Sequence, residues 1–184
     1  MKYVIGIDAG FVATGVSVFS VVKNGALTFH SCRTFVSEKS EKKKQIRVAD
    51  DDSDRITKTI LNLDEFLSEI GVDDNQMYCV IELPTGGAQG ARANRTMGII
   101  TGAIVTYVTL KKLPVEYVSP NDVKIAVTGK KTASKDEIMD KIRKVLVKYE
   151  LPKTKSEFEH IADSVGAILH VRKYSQLYKI FVNK

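Results

Sequence analysis

Residues 77–83, Met-Tyr-Cys-Val-Ile-Glu-Leu, form an apolar run marred only by Glu82 and closed by Pro84. A run of that length between turn residues suits a central strand buried on both faces. Such a strand needs cover above and below, and the chain offers it. Residues 3–7 are β-branched, residues 13–22 alternate, and Leu27 to Val36 reads as a third strand. Asn24-Gly25, in the turn Lys23 to Ala26, is a strong hairpin signal, so the chain opens as an antiparallel meander. Ile56, Ile60, Leu63, Leu67 and Ile70 recur by threes and fours and predict a helix stopped at Gly71. The acids before it, Asp50, Asp51, Asp52 and Asp54, suit its N-terminus, and residues 37–54 as a whole read as a polar loop leading in.

Downstream, residues 91–112 predict a long helix whose Gly98, Gly102 and Ala103 would allow close packing. Val115 to Val118 is a short strand, and Ser119-Pro120 can cap and start the helix after it. Residues 134–149 carry an apolar face of Ile138, Ile142, Val145, Leu146 and Tyr149. Ser156-Glu157-Phe158-Glu159 reads as a capping box opening a last helix that reaches at least residue 170. Strands first and βα alternation afterwards predict an α/β domain with a mixed sheet. The expected unit is one domain over 1–184, with a core to about residue 170 and a basic tail over 171–184.

With 184 residues and 43 % apolar composition, the chain can bury a core unaided. No stretch is long and apolar enough to span a membrane, and the acid in Met-Lys-Tyr-Val-Ile-Gly-Ile-Asp spoils a signal peptide. Cys32 and Cys79 lie in apolar segments and read as reduced core residues, which points to the cytoplasm. The formal charge of +6 permits an anionic partner.

Three acids sit where acids are costly. Asp8 follows the apolar Val4-Ile5-Gly6-Ile7, Glu82 ends the buried run, and Asp163 lies in the last helix, three residues after His160. Unpaired carboxylates near a core are tolerated when a divalent cation sits between them. His160, Asp163 and Ser164 share one helical stripe, and Ile161, Val165 and Ile168 another. Plainer readings stay open at this point: a turn at Asp8-Ala9-Gly10, a loop start at Glu82, a polar helix face at His160 and Asp163.

Four segments together resemble the RuvC family of Holliday junction resolvases, within the ribonuclease H-like superfamily. They are IGIDAGFVATGVSVF, VIELPTGGAQGARANRTMG, VEYVSPNDVKIAVTGKKTASKDEIMDKI and HIADSVGAILH, spanning residues 3 to about 170. The resemblance implies a ribonuclease H-like fold, a five-stranded mixed sheet flanked by helices. It implies Asp8, Glu82, His160 and Asp163 as catalytic and metal-holding residues, with two Mg²⁺ ions for which Mn²⁺ can substitute. It implies a homodimer that nicks a four-way DNA junction in symmetric pairs, leaving 5′-phosphate and 3′-hydroxyl ends. Lys124 and Lys135 align with family lysines near DNA; Lys130, Lys131, Arg92 and Arg95 are further candidates for phosphate contacts. The loop Leu83-Pro84-Thr85-Gly86-Gly87 lacks the aromatic that bacterial members stack on bases. The basic stretch 39–47 also departs from the family, and such departures are familiar in phage and viral relatives. A broader branched-DNA or flap endonuclease, and a non-catalytic junction-binding protein, are the alternatives.

Overall fold

The apolar run is strand β4 (Met77–Glu82), buried along its whole length. The computed structural model describes residues 1–22, 25–40, 46–84 and 90–183. Strands β1 (Lys2–Asp8), β2 (Ala13–Val21) and β3 (Leu27–Val36) form the expected antiparallel meander. The Lys23-Asn24 part of its turn lies outside the described residues. With β5 (Val115–Val118) the sheet runs β3-β2-β1-β4-β5, and the β1–β4 and β4–β5 pairs are parallel. This is the expected five-stranded mixed sheet.

Helices cover both faces. On one lie α1 (Val48–Ser68) and α2 (Ala91–Leu110). On the other lie α3 (Pro120–Thr128), α4 (Lys135–Val145), α5 (Lys155–Tyr174) and α6 (Gln176–Asn183). Side chains alternate across a strand, so each strand feeds both cores. Val4, Tyr78 and Val80 pack on the α5 side, and Ile5, Ile7, Cys79 and Ile81 on the α1–α2 side. Asp8 shares the parity of Val4, and Glu82 that of Tyr78 and Val80. Both acids therefore face α5.

Helix α5 can settle close to the sheet because the floor beneath it is small. A Cβ on Gly6 would stand 2.1 Å from the Ser164 carbonyl oxygen, and one on Gly15 2.4 Å from that of His160. The Ser17 and Ser164 hydroxyls meet at 3.0 Å across the same contact. Ser164 is thus a buried strut, while its stripe-mates His160 and Asp163 look outward past the strand ends.

Several local expectations shift. Helix α1 begins at Val48, so Asp50 and Asp51 lie in its first turn as expected, but Asp51 and Asp52 are both drawn inside and buried. The cap of α5 is Thr154, which stands two residues before Ser156 and accepts from the Glu157 N–H at 3.2 Å. Among the described residues, Gly98 and Gly102 pack against nothing, and Ala103 alone of the three reaches the core. The basic stretch from 171 onward continues α5 to Tyr174 and then forms α6, whose Tyr178 and Phe181 are buried in the main core. Ser119 caps α3 in a capping box with Asp122, with Pro120 first in the helix as predicted.

Cys32 and Cys79 are free thiols, and burial pushes them up to about 11 and about 12, which leaves both unreactive. Among the described residues, no helix is long and apolar enough to cross a membrane.

Candidate active site

Asp8 and Glu82 are direct register partners at the carboxyl ends of adjacent parallel strands. Neighbouring strands lie about 4.8 Å apart, so two carboxylates in that position confront each other. Helix α5 brings His160 and Asp163 over them. His160 Nδ1 donates to Asp8 Oδ2 at 2.7 Å. All four residues line one open cavity of about 670 Å³.

Burial and mutual repulsion dominate the electrostatics. Burial, then the charges of Asp8 and Asp163, push the Glu82 carboxyl up to about 9. Burial, then Asp8, pushes Asp163 up to about 7. His160 moves above its ordinary value because its ring N–H meets the Asp8 carboxylate. Glu82 is only 7 % exposed, and its Oε2 has no hydrogen-bond partner among the described residues. A buried, unsatisfied carboxylate oxygen beside two other acids is costly. Hard divalent cations take carboxylate oxygens and water, and they would relieve that cost. The donor set of Asp8, Glu82 and Asp163, with His160 beside it, therefore fits such ions. As the side chains stand, no three of them among the described residues are arranged around one ion position. The His160–Asp8 hydrogen bond takes up one of the oxygens.

A pH prediction follows from these shifts. Folded Glu82 and Asp163 keep protons that the unfolded chain loses near 4.5 and 3.8. Folding of the metal-free chain therefore weakens as pH rises, until the folded values of about 9 and about 7 are passed. His160, also raised, acts in the same direction. Calorimetry from about pH 5 to about pH 9 should show Tm falling by roughly 5 °C or more, and Mg²⁺ should restore it most at the alkaline end. A Tm indifferent to both pH and Mg²⁺ would contradict the cluster.

Of the basic candidates, Lys135 borders the cavity and is paired there with Glu159. Lys124 and Lys135 are both near enough to lower Glu82 against the other influences on it. Lys130 stands apart, beside Lys141 and Lys144 around a separate surface hollow, and Lys131 is exposed nearby. Arg92 and Arg95 both donate to Asp52, each at 2.6 Å, across the α1–α2 contact. Arg92 still borders the cavity; Arg95 does not. Thr85, Gly86 and Gly87 of the loop after Glu82, and Lys42, Lys43 and Lys44 of the basic stretch, lie outside the described residues.

Two charged residues of the cavity are not among the sequence candidates. Glu159 adds a further acid and holds Lys135; it was hidden in the capping-box reading of its segment. Arg55, buried on α1, borders the cavity from the far side. Its only signal in the sequence is a cation set next to Ile56 on an apolar stripe.

The chain resembles known proteins over nearly its full length. The structure of Thermus thermophilus RuvC in complex with a Holliday junction substrate superposes with a TM-score of 0.71 at 20 % identity, covering 96 % of each chain. Another Thermus thermophilus RuvC structure gives 0.68 at 22 % identity, again covering 96 % of each chain. The yeast mitochondrial Holliday junction resolvase Ydc2 gives 0.63 at 12 % identity, covering 99 % of this chain and 84 % of that one. No curated protein sequence matches the chain. At these identities the structures speak for the fold. The family is decided by sequence: the model of the crossover junction endodeoxyribonuclease RuvC matches residues 4–170. The chain therefore belongs to the RuvC family of crossover junction endodeoxyribonucleases, nucleases that resolve DNA junctions.

Proposed function

We propose that Asp8, Glu82 and Asp163 are the metal-holding carboxylates of this nuclease, with His160 beside them, and that Mg²⁺ is the ion. The observation that carries this reading is the register pairing of Asp8 with Glu82, facing α5, with Glu82 Oε2 left unsatisfied. Nucleases of this family depend on divalent metal, which when bound activates water and neutralises charge on the scissile phosphate. The chain's own residues prepare that place. The parallel β1–β4 pair fixes two carboxylates side by side, and the Gly6–Gly15 floor sets the height of Asp163 above them. His160 holds a proton on Nδ1 against Asp8 Oδ2, which orients both groups. The positive charges of Lys135 and Lys124 near Glu82 draw a phosphate toward an acidic centre that would otherwise repel it.

On this reading the substrate is a four-way DNA junction. A homodimer presents two cavities and places paired symmetric nicks with 5′-phosphate and 3′-hydroxyl ends. The test is cleavage of a four-way junction, a three-way junction, a flap and a duplex in Mg²⁺ or Mn²⁺. Symmetric nicks in the four-way substrate alone support the reading. Equal cutting of flaps would move the assignment to the broader branched-DNA enzyme, and binding without any nicking to an architectural protein. Affinity for the junction should also fall steeply with salt, by about 0.7–0.9 in the log–log slope per phosphate contacted.

A further inference from the structure

Arg55 carries its charge where a cation is expensive. It is only 4 % exposed. Its guanidinium lies over Phe11, with Cζ 4.1 Å from the ring centroid. Nε donates to Ser37 Oγ at 3.1 Å, and Nη2 to Ser37 Oγ at 2.7 Å and Ser37 O at 3.1 Å. These acceptors are neutral. Among the described residues no carboxylate forms an ion pair with Arg55, and Nη1 has no hydrogen-bond partner. Asp51, one turn earlier on α1, feels the charge but turns Oδ1 to the Ser40 N–H at 2.8 Å. The side chain borders the same cavity as the acids.

The contrast with its neighbours is informative. Arg92 and Arg95 are about half exposed, where solvent would satisfy them, yet both are neutralised by Asp52. Among the described residues, the buried arginine is the one with no carboxylate paired to it. Buried charges are normally paired, because an unpaired one forfeits its hydration with nothing in return. A preorganised guanidinium, stacked on one face and anchored by one edge, leaves its remaining donors for an anion arriving through the cavity. Guanidinium matches phosphate in shape and hydrogen-bonding capacity.

We propose that Arg55 binds a non-scissile phosphate of the DNA strand held in the cavity, on the side opposite Lys135, with Lys39 adding charge around it. The proposal rests on the junction-nuclease reading and adds to it a phosphate subsite built from α1. The strand being cut is then gripped on both sides of the acidic cluster. Lys135 holds one side, and Arg55 the other.

A purely structural role is the competing account. Ser37 Oγ also lies 2.5 Å from the Phe11 carbonyl, so Arg55 braces the β1–β2 loop as well. The experiment must separate the two. Binding of four-way junctions is measured by fluorescence anisotropy in EDTA, where cutting is suppressed. Each junction carries one neutral methylphosphonate, moved phosphate by phosphate through the nicking region. For the wild-type chain, one non-scissile position is expected to weaken binding about tenfold when neutralised. Arg55→Gln should lose that sensitivity at that position alone, and its log–log salt slope should be shallower by about 0.9. If Arg55→Gln fails to fold, Arg55→Met keeps the stem's packing on Phe11 and serves the same comparison. An Arg55 variant as sensitive as the wild type at every position overturns the subsite and leaves the nuclease reading standing. A wild-type chain that neither binds nor nicks the unmodified junction overturns both.

Discussion

Replacing Asp8 by asparagine is expected to lower junction cleavage by about a thousandfold or more while leaving junction binding intact. Asp8 is where three relationships meet: the register pairing with Glu82, the hydrogen bond from His160, and the repulsion felt by Asp163. Asparagine keeps the shape and can still accept from His160 Nδ1. What it removes is one negative charge, and with it the affinity for a divalent cation. The same removal eases the repulsion that raises Glu82 and Asp163. It also lowers the barrier to an approaching phosphate. Asp8→Asn should therefore bind a junction at least as tightly in EDTA, and in the absence of metal it should melt at a higher temperature than the wild type. A gain in stability with a loss of activity is the usual signature of a charged site. Nicking of an end-labelled junction, a mobility shift and a thermal melt give the three readouts. Undiminished nicking in Mg²⁺ would sink the assignment of Asp8.

The second large effect lies in a residue with no side chain. Gly15→Ala is expected to destabilise the fold by about 2 kcal/mol or more and to cut activity by about a hundredfold beyond that. The new Cβ would stand 2.4 Å from the carbonyl carbon and oxygen of His160. Those are backbone atoms, so no side chain can rotate away. Either β2 or α5 must shift, and α5 carries His160 and Asp163. Gly6→Ala, which meets Ser164 one turn further along α5 at 2.1 Å, should behave alike. Gly98→Ala provides the contrast. It lies on α2 with nothing among the described residues within 4 Å, and alanine there should raise helix stability by up to about 1 kcal/mol. Denaturant unfolding with nicking assays on the folded fraction checks all three. Equal stability of Gly15→Ala and Gly98→Ala would show that the α5 seat is looser than the backbone contacts imply.

Glycine therefore had opposite meanings in two parts of one sequence. Gly98 and Gly102 of α2 look like part of a packing stripe and face open space, while the isolated Gly6 and Gly15 are positions where helix and sheet touch. Spacing along a helix does not say which face the rest of the fold will cover. The cap of α5 is a smaller case of the same kind. Ser156 and Thr154 are both capable caps, and the Glu157 N–H is bonded by Thr154 because the helix starts one residue after it.

What the sequence by itself determined were the features that depend on near neighbours. Alternation along Ala13–Val21, the unbroken run at Met77–Glu82, the Ser119-Pro120 helix start and the Gly71 stop are all local, and each was readable. Asp8, Glu82 and Asp163 stood out only as candidates, since an acid at the end or edge of an apolar element is out of place. Tertiary structure alone decided what those residues meet. Asp8 faces Glu82 because two strands far apart in the chain pair in one register, and a slip of one residue would turn either acid to the other core. Asp52 meets Arg92 and Arg95 across 40 and 43 residues, which turned an expected helix-end acid into the partner of two expected DNA contacts. Arg55 is a surface-type residue by composition, and only the docking of α1 beside Phe11 and Ser37 buries its charge with no carboxylate paired to it among the described residues. Such pairings are set by the shared core and by the strand register. Neither leaves a mark in the spacing of nearby residues.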